Sequence, residues 1–335
     1  MKKHAIIPIF ISHRGCPHRC VFCNQKAITA RSGDVTVEDA RKTIEEWLTT
    51  LEGRDMEVEL SFFGGSFTGI AMEDQTAFLK LAKEYKDSGR IDKIHCSTRP
   101  DYINREILDN LKAYGMDVIE LGVQSFDQKV LDASERGHSV KDVEDACCLI
   151  HEYGFTLGIQ LMIGLPGDSY ESCMESARRA IEMKPSIARL YPTVVINDTP
   201  LASMLEEGSY IPPSEDEIVR RTKDMYKALT GAGINVIRIG LKSNELIKGD
   251  TYHPAIGQVV KSAAARDEIE ERIEELLSEG GFKVLEISAP SGLFNYAVGH
   301  KAENKKYFSG KYPDIRFIFK EDDSIESIRV RKSER

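Results

Sequence analysis

The chain has 335 residues, 41% hydrophobic and 30% charged, which suits a sizeable packed core and fits one large α/β domain with an appendage. Its formal net charge of −9 argues against non-specific nucleic-acid binding, and no run of about 18 apolar residues marks a membrane span. Its seven cysteines, an odd number without a secretory signal, point to reduced thiols in the cytoplasm.

The opening MKKHAIIPIFIS carries two lysines and a short apolar run. Pro8 and His13 interrupt that run and no small-residue cleavage site follows, so it reads as a buried first strand. Further strands are predicted at 57–63 (EVELSFF), 91–98, 117–123, 155–164 and 187–195, with a seventh at 234–241. They are rich in Ile, Val, Leu and Phe, as strands buried on both faces are. Between them lie amphipathic stretches. Residues 37–51 set Ala40, Ile44, Trp47, Leu48 and Leu51 on one face, and further helices fit 73–86, 104–113, 140–153, 169–182 and 215–231. Strand–helix alternation of this kind implies parallel strands with right-handed crossovers, and six units imply a complete or partial barrel. The rhythm changes near residue 246. A helix at 266–279, the strand-like FKVLEIS and DIRFIFK, and SIESIRV suggest a small α+β domain, so the expected division is 1–245 and 246–335. The basic end, RVRKSER, reads as a frayed, solvated tail.

Cys16, Cys20 and Cys23 fall within RGCPHRCVFCNQ, directly after the first strand. In a parallel barrel that is the end where active sites sit. A C-x₃-C-x₂-C loop can wrap three sulfurs around one object. Structural zinc takes four protein ligands, and His13 or His18 is available as the fourth. A [4Fe–4S] cluster held by three thiolates keeps one iron open to a small molecule. The other cysteines, Cys96, Cys147, Cys148 and Cys173, lack metal-like spacing and read as small buried hydrophobes. Arg14, His18, Arg19, Lys26 and Arg31 surround the cluster loop.

CPHRCVFC, with Phe22 before the third cysteine, resembles the signature of the radical S-adenosylmethionine (radical SAM) enzymes. The resemblance implies a partial (β/α)6 TIM-type barrel, a [4Fe–4S] cluster on Cys16, Cys20 and Cys23, and S-adenosylmethionine on the open iron. It also implies reductive cleavage to a 5′-deoxyadenosyl radical and a reductant protein such as flavodoxin or ferredoxin. Four later stretches agree in order. In FFGGS, Gly64, Gly65 and Ser66 would receive the methionine part, because backbone without a Cβ approaches a ligand closely. Ser97, Thr98, Gln124 and Gln160 are candidates for ribose and carboxylate contacts, while Phe22 and the turn at Gly164, Leu165 and Pro166 would flank adenine. Which residue assists hydrogen transfer is not legible.

STRPDYI, LGVQSFD, RGH at 136–138, IGLPG and LYPTVVINDTPL resemble the radical SAM half of the Elongator catalytic subunit and its bacterial relatives. That resemblance implies modification of RNA, tRNA in the Elongator case. LGVQSF and GLPG also resemble oxygen-independent coproporphyrinogen III oxidases, which implies small-molecule chemistry as the alternative. Those enzymes carry another cysteine two residues after the third, where this chain has Gln25. No acetyl-CoA signature follows the barrel. A cluster-bearing or zinc-bound barrel without catalysis is the remaining alternative. His253, before Pro254, reads as a fold cap rather than a site residue.

Overall fold

The computed structural model describes residues 3–11, 15–16, 20–24, 35–241, 253–280 and 282–333. They divide into two compact units, Met1–Pro213 with Ala228–Tyr252, and Ser214–Lys227 with His253–Arg335.

The first unit is built on seven parallel strands in sequence order: β1 (Lys3–Ile11), β2 (Met56–Gly64), β3 (Lys93–Thr98), β4 (Val118–Gln124), β5 (Thr156–Ile163), β6 (Ile187–Pro192) and β7 (Asn235–Ile239). Crossover helices lie between them: α1 (Val37–Leu51), α2 (Met72–Asp87), α3 (Arg105–Ala113), α4 (Gln128–Ala133), α5 (Val140–Glu152), α6 (Tyr170–Glu182) and α7 (Pro200–Glu206); α8 (Glu215–Gly231) comes between α7 and β7 in the chain, and its residues up to Lys227 belong to the second unit. The helix starts are written locally. Thr36, Ser139 and Ser169 each form a capping box, and Asn104 accepts from the Ile107 N–H. Each such cap contributes about 1 kcal/mol.

Strand residues alternate between two environments. Ile7, Leu60, Ile94, Cys96, Ile119, Leu121, Ile159, Leu161 and Leu190 are fully buried on one face. The other carries Glu59, Ser61, Phe63, His95, Ser97, Glu120, Gln160 and Arg189, the alternation a pleat requires. This second face curls. The Arg189 guanidinium on β6 lies 4.8 Å from the Phe63 ring centroid on β2, whereas a flat sheet would hold strands four places apart at about 19 Å. The result is a partial TIM-type barrel with its polar face inside.

The second unit packs α9 (Ile256–Ser278), α10 (Ser291–Val298) and α11 (Glu303–Lys311) on a sheet of β8 (Val284–Ala289), β9 (Arg316–Glu321) and β10 (Arg329–Lys332), ordered β10-β8-β9. Ile269, Ile273, Leu285, Ile287 and Phe308 form its core.

Three expectations need correction. The basic stretch at 329–332 is not a frayed tail: it pairs with β8, Val330 packs on the core, and Arg331 reaches Glu286 at 2.6 Å. Trp47 is 39% exposed, because the buried face of α1 is carried by Ala40 and Ile44. Cys96, Cys147 and Cys173 are buried, but Cys148 is exposed, one residue round α5 from the buried face of Val143, Cys147 and Ile150. His253 takes the Ala255 N–H on its Nδ1 at 3.0 Å, just ahead of α9, whose N-cap residue Ala255 makes no side-chain cap.

Candidate active site at the C-terminal rim

Gly15, just beyond the end of β1 and beside Cys16, is clamped by backbone. Gly15 has φ +73°, and a Cβ there would lie on the Ser66 carbonyl and within 2.6 Å of Gly69 backbone. A Cβ at Gly69 would in turn strike the Gly15 carbonyl. Neither contact allows a side chain, so the cysteine loop and the turn after β2 interlock. Gly65 donates its N–H to the Ile11 carbonyl at 2.7 Å, and Gly64 sits at φ +105° with its Cα face against Ile11. The GG pair thus seats the second loop on the end of the first strand.

Farther along, Cys23 donates its N–H to the Cys20 carbonyl at 3.0 Å, and Val21 is bonded on both sides, to Ser134 and Leu201. Val21 is buried with Val195, Leu201, Ala202 and Tyr210, and Phe22 packs beside them, half-buried. Cys20 is 5% exposed, whereas Cys16 and Cys23 are partly open. Burial pushes the Cys16 thiol up; Arg136 opposes it, the neighbouring Cys20 adds to it, and Arg99 and the Ser66 N–H pull down.

Two arginines from distant loops meet this region. Arg136 donates Nη2 to the Gly122 carbonyl at 2.6 Å and Nη1 to Cys20 Sγ at 3.4 Å. Arg99 is 2% exposed and holds Asp101 bidentately at 2.9 and 2.8 Å. His138, in the same RGH stretch as Arg136, is pushed down to about 3, first by burial and then by Arg136 and Arg99, so it is neutral at pH 7.

The predicted contact residues divide. Ser66, Thr68 and Thr98 hydroxyls bond one another at 2.8 and 2.6 Å, and the Arg99 N–H donates to Ser66 Oγ at 3.1 Å. Ser97 and Thr98, grouped together in the sequence, point to opposite faces: Ser97 donates to Glu120 Oε1 at 2.9 Å inside the barrel. Gln124 and Gln160 are brought together, Nε2 of Gln160 donating to Oε1 of Gln124 at 3.1 Å. Gln124 has φ +73° at a shift in the β4–β5 register, a bulge that re-aims its side chain at the rim. Gly164, Leu165 and Pro166 form a buried turn, fixed by the Gly164 N–H to Asp168 at 2.8 Å and the Tyr210 hydroxyl to the Gly164 carbonyl at 2.6 Å. Arg14, His18, Arg19, Lys26 and Arg31, and the possible zinc ligand His13, lie outside the described residues.

Below the rim the barrel interior is charged. Glu120 Oε2 lies 2.8 Å from Arg189 Nε, off the line of a hydrogen bond, so the contact is an ion pair. Glu59 bonds His95 at 2.7 Å and Ser61 at 2.8 Å. Burial raises the Glu59 carboxyl, but the hydrogen bonds from His95 and Ser61 and the electrostatic pull of the nearby imidazoles outweigh it, leaving it at about 2.

Among the described residues no three His, Cys, Asp or Glu side chains gather closely enough for one metal ion. A cubane attaches each thiolate to a different iron, so it needs sulfurs spread around a larger object. Three cysteines close together in the chain, with a buried guanidinium donating to the sulfur of Cys20, have the donor chemistry that such a cluster requires.

An incomplete parallel barrel with a three-thiolate loop at the C-terminal ends of its strands defines a class of redox-cofactor enzymes. Residues 10–180 match the model of the Radical SAM superfamily and residues 185–266 match the Radical_SAM C-terminal domain. The chain belongs to the Radical SAM superfamily, whose enzymes use a [4Fe–4S] cluster and S-adenosylmethionine, and it is an enzyme of that kind. It is 28% identical over 234 residues to an uncharacterised protein of Methanocaldococcus jannaschii, covering 67% of this chain and 71% of that one. It is 29% identical over 261 residues to the tRNA uridine(34) acetyltransferase of Dehalococcoides mccartyi, covering 67% of this chain and 56% of the relative. The chain therefore spans little more than half of that acetyltransferase. The structure of the archaeal Methanocaldococcus infernus Elp3, with an N-terminal deletion, superposes with a TM-score of 0.60 at 21% identity, covering 81% of this chain and 64% of that one.

Proposed function

We propose that this chain cleaves S-adenosylmethionine reductively and turns the resulting radical on an RNA substrate, in the manner of the radical SAM half of Elongator-like enzymes. The observation that carries the reading is the Gly15–Gly69 backbone interlock, which fixes the residue before Cys16 against the Ser66–Gly69 turn at the mouth of the barrel. Cys16, Cys20 and Cys23 would hold the cluster. When bound, the cluster supplies the electron that breaks the sulfonium, releasing methionine and a 5′-deoxyadenosyl radical.

The chain's own residues then orient and shield. Gly64, Gly65 and Ser66 offer close backbone approach to the methionine moiety, and the bulge at Gln124, with Gln160 as its partner, offers amide groups to ribose. The buried Gly164–Pro166 turn and Phe22 offer apolar surface to adenine while excluding water. A reductant such as flavodoxin or ferredoxin supplies the electron, which implies a reducing, cytoplasmic setting. The relatives named as tRNA uridine(34) acetyltransferases support tRNA as the substrate class. Among the described residues no helix is long and apolar enough to cross a membrane.

Anaerobic reconstitution with iron and sulfide, followed by reduction in the presence of S-adenosylmethionine, tests the first step: 5′-deoxyadenosine should form, and a fully loaded protein that forms none would refute it. Nucleoside profiles of tRNA from cells with and without the protein test the second. A lost modification supports the RNA reading, whereas unchanged tRNA with altered metabolites favours a small-molecule substrate.

A further inference from the structure

Two cationic groups at the rim are buried beyond what their protein partners repay. Arg136 donates to the Gly122 carbonyl and to Cys20 Sγ, yet its Nε is buried without a partner. Arg99 spends Nε and Nη2 on Asp101 and lies over the Tyr102 ring at 5.9 Å, yet its buried Nη1 also lacks a partner. Burying a guanidinium with unsatisfied donors is costly, and a further anion beside it removes the cost. The Arg99 backbone N–H bonds Ser66 Oγ at 3.1 Å, in the turn whose Ser66 carbonyl abuts Gly15, the residue before Cys16. The two guanidinium groups arrive from the β3–α3 and α4–α5 loops, so nothing in the cysteine loop itself dictates them.

We propose that Arg99 and Arg136 are positioning residues of the redox centre: their fixed charge and the N–H···S contact to Cys20 stabilise the reduced cluster and set its reduction potential. The role rests on the cluster reading above. One-electron reduction adds one negative charge to the centre, so a nearby cation favours the reduced state, and a hydrogen bond to a ligating sulfur acts in the same direction. Asp101 opposes Arg99 and tempers its effect.

The test is a redox titration of the reconstituted full-length protein by electron paramagnetic resonance. S-adenosylmethionine is left out so that no contact of either arginine with it contributes. Arg99→Gln and Arg136→Gln should each cut the reduced-to-oxidised ratio at a fixed potential about tenfold, a downward shift of about 59 mV for a one-electron couple. Arg99→Lys and Arg136→Lys, which keep the charge, should shift less. Asp101→Asn should move the potential upward, a sign that loosened packing does not produce. Fully iron-loaded Gln variants within twofold of the unmodified ratio would overturn the proposal, as would a downward shift in Asp101→Asn. If the Gln variants fail to load, the sign of the Asp101→Asn shift decides. Failure of the unmodified protein to take up iron and sulfide would instead reject the cluster reading.

Discussion

The rim and the interior of the barrel are held by different means. At the rim, backbone meets backbone: Gly15 against Gly69, Gly65 against Ile11, and three small hydroxyls closing the turn at Ser66, Thr68 and Thr98. In the interior, long polar side chains meet across strands, Glu120 ion-paired with Arg189 and Glu59 hydrogen-bonded to His95. Backbone contacts fix a position and leave no latitude for substitution. Charged pairs cost desolvation to assemble, so removing one member leaves the other stranded. The rim is thus the rigid mount, and the interior is where chemistry can be retuned.

The largest expected effect breaks the mount. Gly15→Ala puts a methyl into the Ser66–Gly69 backbone at an unfavourable φ and should cost about 4 kcal/mol or prevent iron loading, read by thermal melting and iron content. Gly53→Ala has nearly the same φ, +72°, with nothing within 4 Å of the new carbon, and should cost only about 1 kcal/mol. Equal losses in the two would remove the interlock from the account.

Next comes the interior. Glu120→Gln leaves the Arg189 charge buried without its carboxylate and should cost about 3 kcal/mol by chemical denaturation. A loss below about 1 kcal/mol would mean that the lumen is wetter than its burial indicates. The Glu59 carboxyl is held at about 2 rather than its ordinary 4.5, so its contribution is complete above pH 4.5 and is lost as pH falls toward 2. That loss amounts to at most about 3 kcal/mol, and Glu59→Gln should flatten stability across the same window. A Glu59→Gln variant as acid-sensitive as the unmodified chain would assign the loss elsewhere.

Much of the architecture is legible in the sequence. Apolar runs alternating with amphipathic stretches mark the seven strands and most helices to within a few residues, because each is governed by local periodicity. The three cysteines are legible because a ligand loop is a local object. What escapes is what depends on closure of the sheet. The RGH stretch is recognisable as a motif, but its arginine's reach to Cys20 spans 116 residues. Glu120 is visible as a polar residue near a strand end, but its pairing with Arg189 requires the curl. The Gly15–Gly69 contact leaves no signal beyond two glycines. Short helices such as α4 and α7 carry too few turns for a period, and α9 begins ten residues before its strongest amphipathic stretch.

The smallest effect is chemical. Burial pushes the Cys147 thiol up to about 12 and raises Cys96 as well, while Cys148 is exposed. Alkylation of the native protein should therefore label Cys148 well before Cys147, Cys96 or Cys173, with the order read by mass spectrometry.

The most direct test of the central claim is the electron paramagnetic resonance spectrum of the reduced, reconstituted cluster before and after addition of S-adenosylmethionine. A cluster held by Cys16, Cys20 and Cys23 alone, with one iron open to the ligand, should change its g-values on addition, and Cys20→Ala should abolish the signal. A fully loaded cluster whose spectrum is indifferent to S-adenosylmethionine would contradict the account.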